Sequence, residues 1–227
     1  EYLRFVFLTG VTKFSQLSIF SELNNLRQIS MLDEYSGLCG ITQEELDTTL
    51  RPCVEEYAQN LSITTEEAYA LLKKNYDGYH FSKNSKNVYA PFSLLRALDD
   101  RSTDYYWFES ATMTGLIEHL KHYPQFNPLD LDGVEVGEND FNISCEDAET
   151  AIPLLYQSGY LTIQNYDRED DVYLLGFPNY EVEFGFTKHL VETYNNKENN
   201  KSPFLVQEFV MDIRNGRTEQ WLKRLNA

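Results

Sequence analysis

The sequence predicts a mixed, mainly α fold in three parts: a strand of an α/β sheet at the start, a helical region holding a short hairpin, and a helix–hairpin–helix unit. Three observations carry it. Leu3–Leu8 is a near-continuous apolar run bounded by Gly10, the pattern of a strand buried on both faces. Apolar residues then recur at helical spacing, behind helix-start signals, from Leu46 to Leu98. Finally, Tyr160–Tyr166 and Val172–Phe177 alternate on either side of the charged tip Asp167-Arg168-Glu169-Asp170, which marks a hairpin.

The opening run cannot be stable without neighbouring strands, so the chain reads as an excised piece of a longer protein, and apolar surface at residues 3–8 is expected to drive self-association. Beyond it, Thr9-Gly10-Val11-Thr12-Lys13-Phe14-Ser15 occupies the C-terminal end of the strand, where α/β sheets place their ligands. Small hydroxyls and a lysine there suit a phosphate, and Ser15 equally suits a helix cap. Ser18–Asn25 reads as one or two helical turns, and Met31–Leu38 as irregular.

Thr42 with Glu45 three residues on forms a capping box, and the helix it opens runs to Leu61 with a kink or break expected at Pro52. A second capped helix begins at Thr64 or Thr65 and buries Ala68, Leu71, Leu72 and Tyr76. Asp77-Gly78 turns the chain, and Tyr79–Phe81 pairs with Val88–Ala90 across a polar tip. Pro91 opens the next helix, where its missing N–H is harmless. Asp104–Ser110 reads as an extended aromatic segment, followed by a helix from Thr112 or Thr114 to Tyr123. Leu131–Val136 and Phe141–Ile143 read as short strands. A helix capped near Ser144, with Pro153 inside it and Gly159 at its end, leads into the Tyr160–Phe177 hairpin. A last helix carries Val182, Phe186, Leu190 and Tyr194. Helix, two-stranded wing and helix together are the outline of a winged-helix unit. Asn195–Ser202 is a polar spacer, and Phe204–Met211 and Thr218–Leu225 read as short terminal helices.

Bulk composition narrows the function classes. The chain has 227 residues, 42% hydrophobic, with 16 Tyr and 14 Phe, enough for a ring-rich core. No apolar run approaches the roughly 18–20 residues of a membrane span. A net charge of −17, spread along the chain, repels nucleic acid, as does the acidic wing tip. Three widely spaced cysteines, Cys39, Cys53 and Cys145, suit the cytoplasm and neither a disulfide framework nor a zinc site.

Several stretches resemble the bacterial AAA-ATPase-like family, whose members often carry a C-terminal nuclease domain of the PD-(D/E)XK superfamily. They are Leu8–Ser15, Asn24-Asn25-Leu26, Cys39–Leu46, Tyr76-Asp77-Gly78-Tyr79-His80-Phe81, Val88–Leu95 and Tyr106–Ser110, with Gly159-Tyr160-Leu161 and Phe177-Pro178-Asn179-Tyr180-Glu181-Val182 in the later half. Ala90 stands where members usually carry Asn before the proline, and Ala111–Met113 where Gly-Thr-Pro is more usual. The resemblance implies a P-loop NTPase that uses ATP and Mg²⁺. No G-x-x-x-x-G-K-[ST] motif occurs here and Leu3–Leu8 does not end in paired acids, so the phosphate cradle and the Mg²⁺-holding strand are expected elsewhere in the intact protein.

On that reading residues 1–30 are the remnant of the nucleotide-binding α/β domain, 31–125 a helical lid region, 126–195 the winged-helix-like unit, and 196–227 a linker with terminal helices. Thr9, Thr12 and Lys13 would face the γ-phosphate as nucleotide sensors. No catalytic or metal-binding residue is expected in this chain. The resemblance implies a lid and regulatory portion coupling nucleotide state to an attached effector or nuclease-like domain. The alternative is a non-catalytic protein-interaction module. Other constellations carry less. Asp77 and His80 are three apart across a turn, where Asp77 suits an Asx-turn better than acid–base work. His119 and His122 share a helix face without further ligands. Glu181, Glu183 and Lys188 lack the spacing of a nuclease site.

Overall fold

The computed structural model describes residues 4–7, 9–10, 27–110, 116, 119–120, 122–123, 131–145 and 148–195. Of the strand expected over Leu3–Leu8, residues 4–7 are described and are not in a strand: among the described residues nothing pairs with them, and Phe5, Val6 and Phe7 are exposed (81, 49 and 51%). A strand needs a ladder partner, and none stands beside it among the described residues. The helix expected at Ser18–Asn25 and the two terminal helices lie outside the described residues.

The helical region follows its start signals closely. After a single 3₁₀ turn at Asp33–Tyr35, α1 (Gln43–Thr48) opens on the Thr42 capping box: the Glu45 N–H donates to Thr42 Oγ1 at 3.2 Å, and the Thr42 N–H donates to Glu45 Oε2 at 2.8 Å. Pro52 breaks the run and sits in the first turn of α2 (Arg51–Leu61), where it costs no hydrogen bond. Thr64 and Glu67 form a second capping box on α3 (Thr65–Tyr76). Pro91 starts α4 (Pro91–Asp100). These four helices close a first core around Leu46, Val54, Tyr57, Leu72, Leu94 and Ala97. Each of the leucine and valine side chains among them contributes about 1.5–3 kcal/mol by leaving water.

The stretch between α3 and α4 joins this core to a second. Tyr76 and Tyr89 belong to the helical core, whereas Tyr79, Val88 and Ala90 pack with Leu155, Leu161, Val182 and Phe186. The hairpin expected here shrinks to one bridge, Tyr79–Val88, with reciprocal N–H···O bonds of 3.2 and 2.9 Å. The next residue pairs instead with Ile41, through N–H···O distances of 2.8 and 3.2 Å. A distant segment thus supplies the ladder that the short hairpin lacks.

Asp104–Ser110 is not extended throughout: Trp107–Ser110 forms the short helix α5, with Tyr106 buried in the helical core. Leu116, His119 and Leu120 are helical, His122 lies in a turn and Tyr123 in no regular element, and the remaining residues of the helix expected from Thr112 or Thr114 to Tyr123 lie outside the described residues. Only Val134–Val136 of the expected Leu131–Val136 run is strand (β1), and Phe141 closes a helical turn, α6 (Glu138–Phe141), rather than opening a strand. Asp140 explains this, because its carboxylate accepts the Gly137 N–H at 2.8 Å and nucleates the turn. Pro153 lies in the first turn of α7 (Ile152–Gln157) and so starts that helix instead of interrupting a longer one.

β2 (Thr162–Asp167) and β3 (Val172–Gly176) form the expected antiparallel hairpin, with a register shift between Ile163 and Asn165. β1 adds to the far side of β3, giving the sheet order β1-β3-β2. Behind the sheet, Phe141 meets Tyr156 and Tyr173 edge-on at 4.7 and 5.0 Å, forming a third core with Ile163 and Leu175. The last helix, α8 (Tyr180–Asn195), buries Val182, Phe186 and Leu190. The molecule is therefore a mixed α/β fold of short helices and one small antiparallel sheet, and among the described residues no helix is long and apolar enough to cross a membrane.

Candidate functional site

Most of the chemistry gathers where the N-terminus of α8 meets the turn after α3. Gly78 makes that meeting possible. Its φ of +107° is a conformation L side chains rarely adopt, and a Cβ on it would lie 1.9 Å from the Pro178 carbonyl oxygen. The backbone of Asp77–Gly78 therefore passes directly against that of Pro178. On the next residue, the Tyr79 hydroxyl donates to the Gly159 carbonyl at 3.1 Å, and its ring lies 5.7 Å from Trp107. His80 is tied to β2 by one side chain: the His80 N–H donates to Thr162 Oγ1 at 2.8 Å, and that hydroxyl donates to the His80 carbonyl at 2.9 Å.

α8 begins with Asn179, whose Oδ1 accepts the Val182 N–H at 3.1 Å as a helix cap. Glu181, in the first turn, turns inward and is completely buried. Its Oε1 accepts the Trp107 N–H at 2.8 Å, which fixes the start of α5 against α8. By geometry its Oε2 and the buried Ser93 hydroxyl each close no hydrogen bond, but Ser93 lies near enough to the carboxyl to favour its charged form. Burial pushes the Glu181 carboxyl up to about 7, against the opposing pull of the Trp107 N–H and Ser93. Asp77 is likewise raised by burial, opposed by the Gly78 N–H and by Lys73, whose Nζ is 4.0 Å away.

On the outer side of the same joint lies a cleft of about 320 Å³ lined by Lys74, Asp132, Gln164, Phe177, Asn179, Tyr180 and Glu183. Lys74 sits over the Tyr180 ring at 4.8 Å, and Tyr105 stacks on Phe184 at 4.6 Å. A second clasp ties the 82–87 tip to the hairpin: Lys83 Nζ donates to Tyr166 Oη at 3.0 Å and lies 4.2 Å from that ring, with Asp171 at 3.4 Å.

Of the expected sensor residues, Thr9 is exposed and outside any regular element, while Thr12 and Lys13 lie outside the described residues. Asp77 and His80 are not joined by a hydrogen bond or ion pair among the described residues; Asp77 instead ends α3. The rings of His119 and His122 are 6.0 Å apart, and no group of three or more potential metal ligands occurs among the described residues. Glu181, which the sequence offers only beside Glu183 and Lys188 as a rejected nuclease echo, is the residue whose burial pattern reading misses. An acid in a first helical turn is the ordinary partner of the helix dipole and reads as solvated. Its position in Phe177–Val182, opposite a Tyr-Asp-Gly-Tyr turn, is the only signal the sequence holds.

No family model matches the chain, and no solved structure matches it. A curated protein from Azotobacter chroococcum mcd 1, described as "Uncharacterized protein in vnfD 5'region", is 35% identical over 204 residues, which cover 85% of this chain and 35% of that protein. The chain thus spans about a third of the length of the curated relative it matches.

Proposed function

We propose that this chain is the lid and regulatory portion of an AAA-ATPase-like protein, coupling nucleotide state to an attached effector domain. One observation supports the reading above the others. The Tyr76–Phe92 stretch, which matches the family's motifs, walls both the helical core and the core beneath α8, and α8 docks on it through Gly78–Pro178. Displacing the helical region therefore moves the first turn of α8. The order α7, β2, β3, α8 fits a winged-helix-like unit receiving that displacement.

In the intact protein ATP and Mg²⁺ would bind to a P-loop domain, with Thr9, Thr12 and Lys13 near the γ-phosphate, and the effector would be a nuclease-like domain. The exposed Phe5–Phe7 run supports contact with such a sheet, or self-association when it is missing. The test is ATP turnover by the full-length protein and by its Lys13→Ala variant. Reduced turnover in the variant is expected. Unchanged turnover removes the sensor role, and no turnover by the parent protein removes the ATPase reading.

A further inference from the structure

Glu181 is held in surroundings that suit its neutral form. An ionised carboxylate offers about four acceptor positions and in a protein interior needs several donors or a cation. Only one hydrogen bond closes on this one, from the Trp107 N–H, although the Tyr106 N–H and the Ser93 hydroxyl also face it, and its second oxygen is buried without a partner. The groups facing it from each packed element are uncharged. Tyr76 from the end of α3 and Tyr79 from the following turn are both kept protonated by burial. Ser93 of α4 presents a hydroxyl, and the start of α5 presents backbone N–H groups of Tyr106 and Trp107. Among the described residues no Lys, Arg or His forms an ion pair with Glu181. A protonated carboxyl changes the count: its O–H donates, and Ser93 Oγ is a buried acceptor beside it with no other bond.

We propose that Glu181 is a proton-operated latch: its neutral carboxyl holds the first turn of α8 against α4, α5 and the Gly78 turn, and loss of the proton loosens that joint. The latch stands on the geometry of the joint and does not depend on nucleotide chemistry. Its working range follows from linkage. A carboxyl whose closed-state value is raised to about 7 favours the closed joint fully below its ordinary value of 4.5. The advantage falls between those two values, and opening then levels off because both states are ionised. Solution pH, or any bound group that alters the field at this joint, would therefore set how firmly α8 is seated.

Trp107 reports the latch directly. In a Trp221→Phe background it is the remaining tryptophan, since the chain has two. Amide exchange at Trp107, corrected for intrinsic base catalysis, is expected to rise about tenfold per pH unit from roughly pH 5 to 7 and then flatten, with Trp107 emission changing over the upper part of that range. Glu181→Gln keeps the shape and removes the titration, so both responses should disappear. A pH-independent corrected exchange rate in the parent chain overturns the proposal, as does an unchanged response in the variant. If Glu181→Gln does not accumulate as folded protein, the parent chain decides alone: a rise with a plateau supports the latch, and a flat profile refutes it.

Discussion

Replacing Gly78 by alanine tests whether the α3–α8 joint holds the two halves of the molecule together. The perturbation has two parts. The residue keeps a φ of +107°, and an L side chain forced into left-handed backbone space costs about 1–2 kcal/mol. The new Cβ also meets the Pro178 carbonyl oxygen at 1.9 Å, far inside the 3.4 Å at which ordinary contact begins, and the obstacle is backbone, which cannot rotate away. The turn and the Phe177–Asn179 segment must separate, loosening Glu181 from Trp107 and Val182 from its core. A combined loss of about 3–4 kcal/mol is expected, near the upper end for a single substitution. Gly133→Ala is the matched control. Its φ is +82° but the nearest atom to an added Cβ is Leu174 Cδ1 at 4.0 Å, so backbone strain acts alone, at about 1 kcal/mol. Urea unfolding followed by tryptophan emission separates the two. With a slope of about 2 kcal/mol/M, the midpoint drops by about 1.5–2 M for Gly78→Ala and about 0.5 M for Gly133→Ala. Equal midpoints for the two variants would refute the close approach at Pro178.

Further outcomes follow from other parts of the fold. Thr64→Ala removes the hydroxyl that accepts the Glu67 N–H and should lower stability by about 1 kcal/mol, read as a shift in thermal midpoint. Leu72→Ala empties a completely buried position in the helical core and should cost about 2–5 kcal/mol, whereas Phe92→Ala on the half-exposed face of α4 should cost far less; comparable losses would contradict the assigned core. The Glu181 carboxyl makes the parent chain less stable as pH rises from 4.5 to about 7, because the unfolded state has released its proton while the folded state still holds it. Relative to Glu181→Gln the loss should amount to roughly 3 kcal/mol across that interval, measured as the pH dependence of the difference in unfolding free energy.

Local chemistry was legible in the sequence, and remote partnership was not. Both capping boxes, the break at Pro52, the start at Pro91 and the β2–β3 hairpin follow from residues within a few positions of one another. Where the sequence reading erred, a distant segment decided the outcome. The backbone of Tyr89 pairs with Ile41 more than forty positions away, and β1 finds β3 across two intervening helices and β2. Trp107–Ser110 reads as extended because its rings favour strands, yet its first N–H is taken by Glu181 and the segment turns into a helix. The burial of Glu181 escaped notice for the same reason: nothing within its own turn shows what will cover it. The opening apolar run shows the converse, since strand-like composition alone does not make a strand without a partner.

The shared wall between the helical core and the core beneath α8 has a thermodynamic corollary. Tyr76 and Tyr89 on one side enclose Tyr79 and Val88 on the other, and Ala90 returns to that second side, so neither compartment can melt without stripping cover from its neighbour. Calorimetry on the chain should then record one cooperative heat-absorption peak spanning both compartments, where independent units would give two.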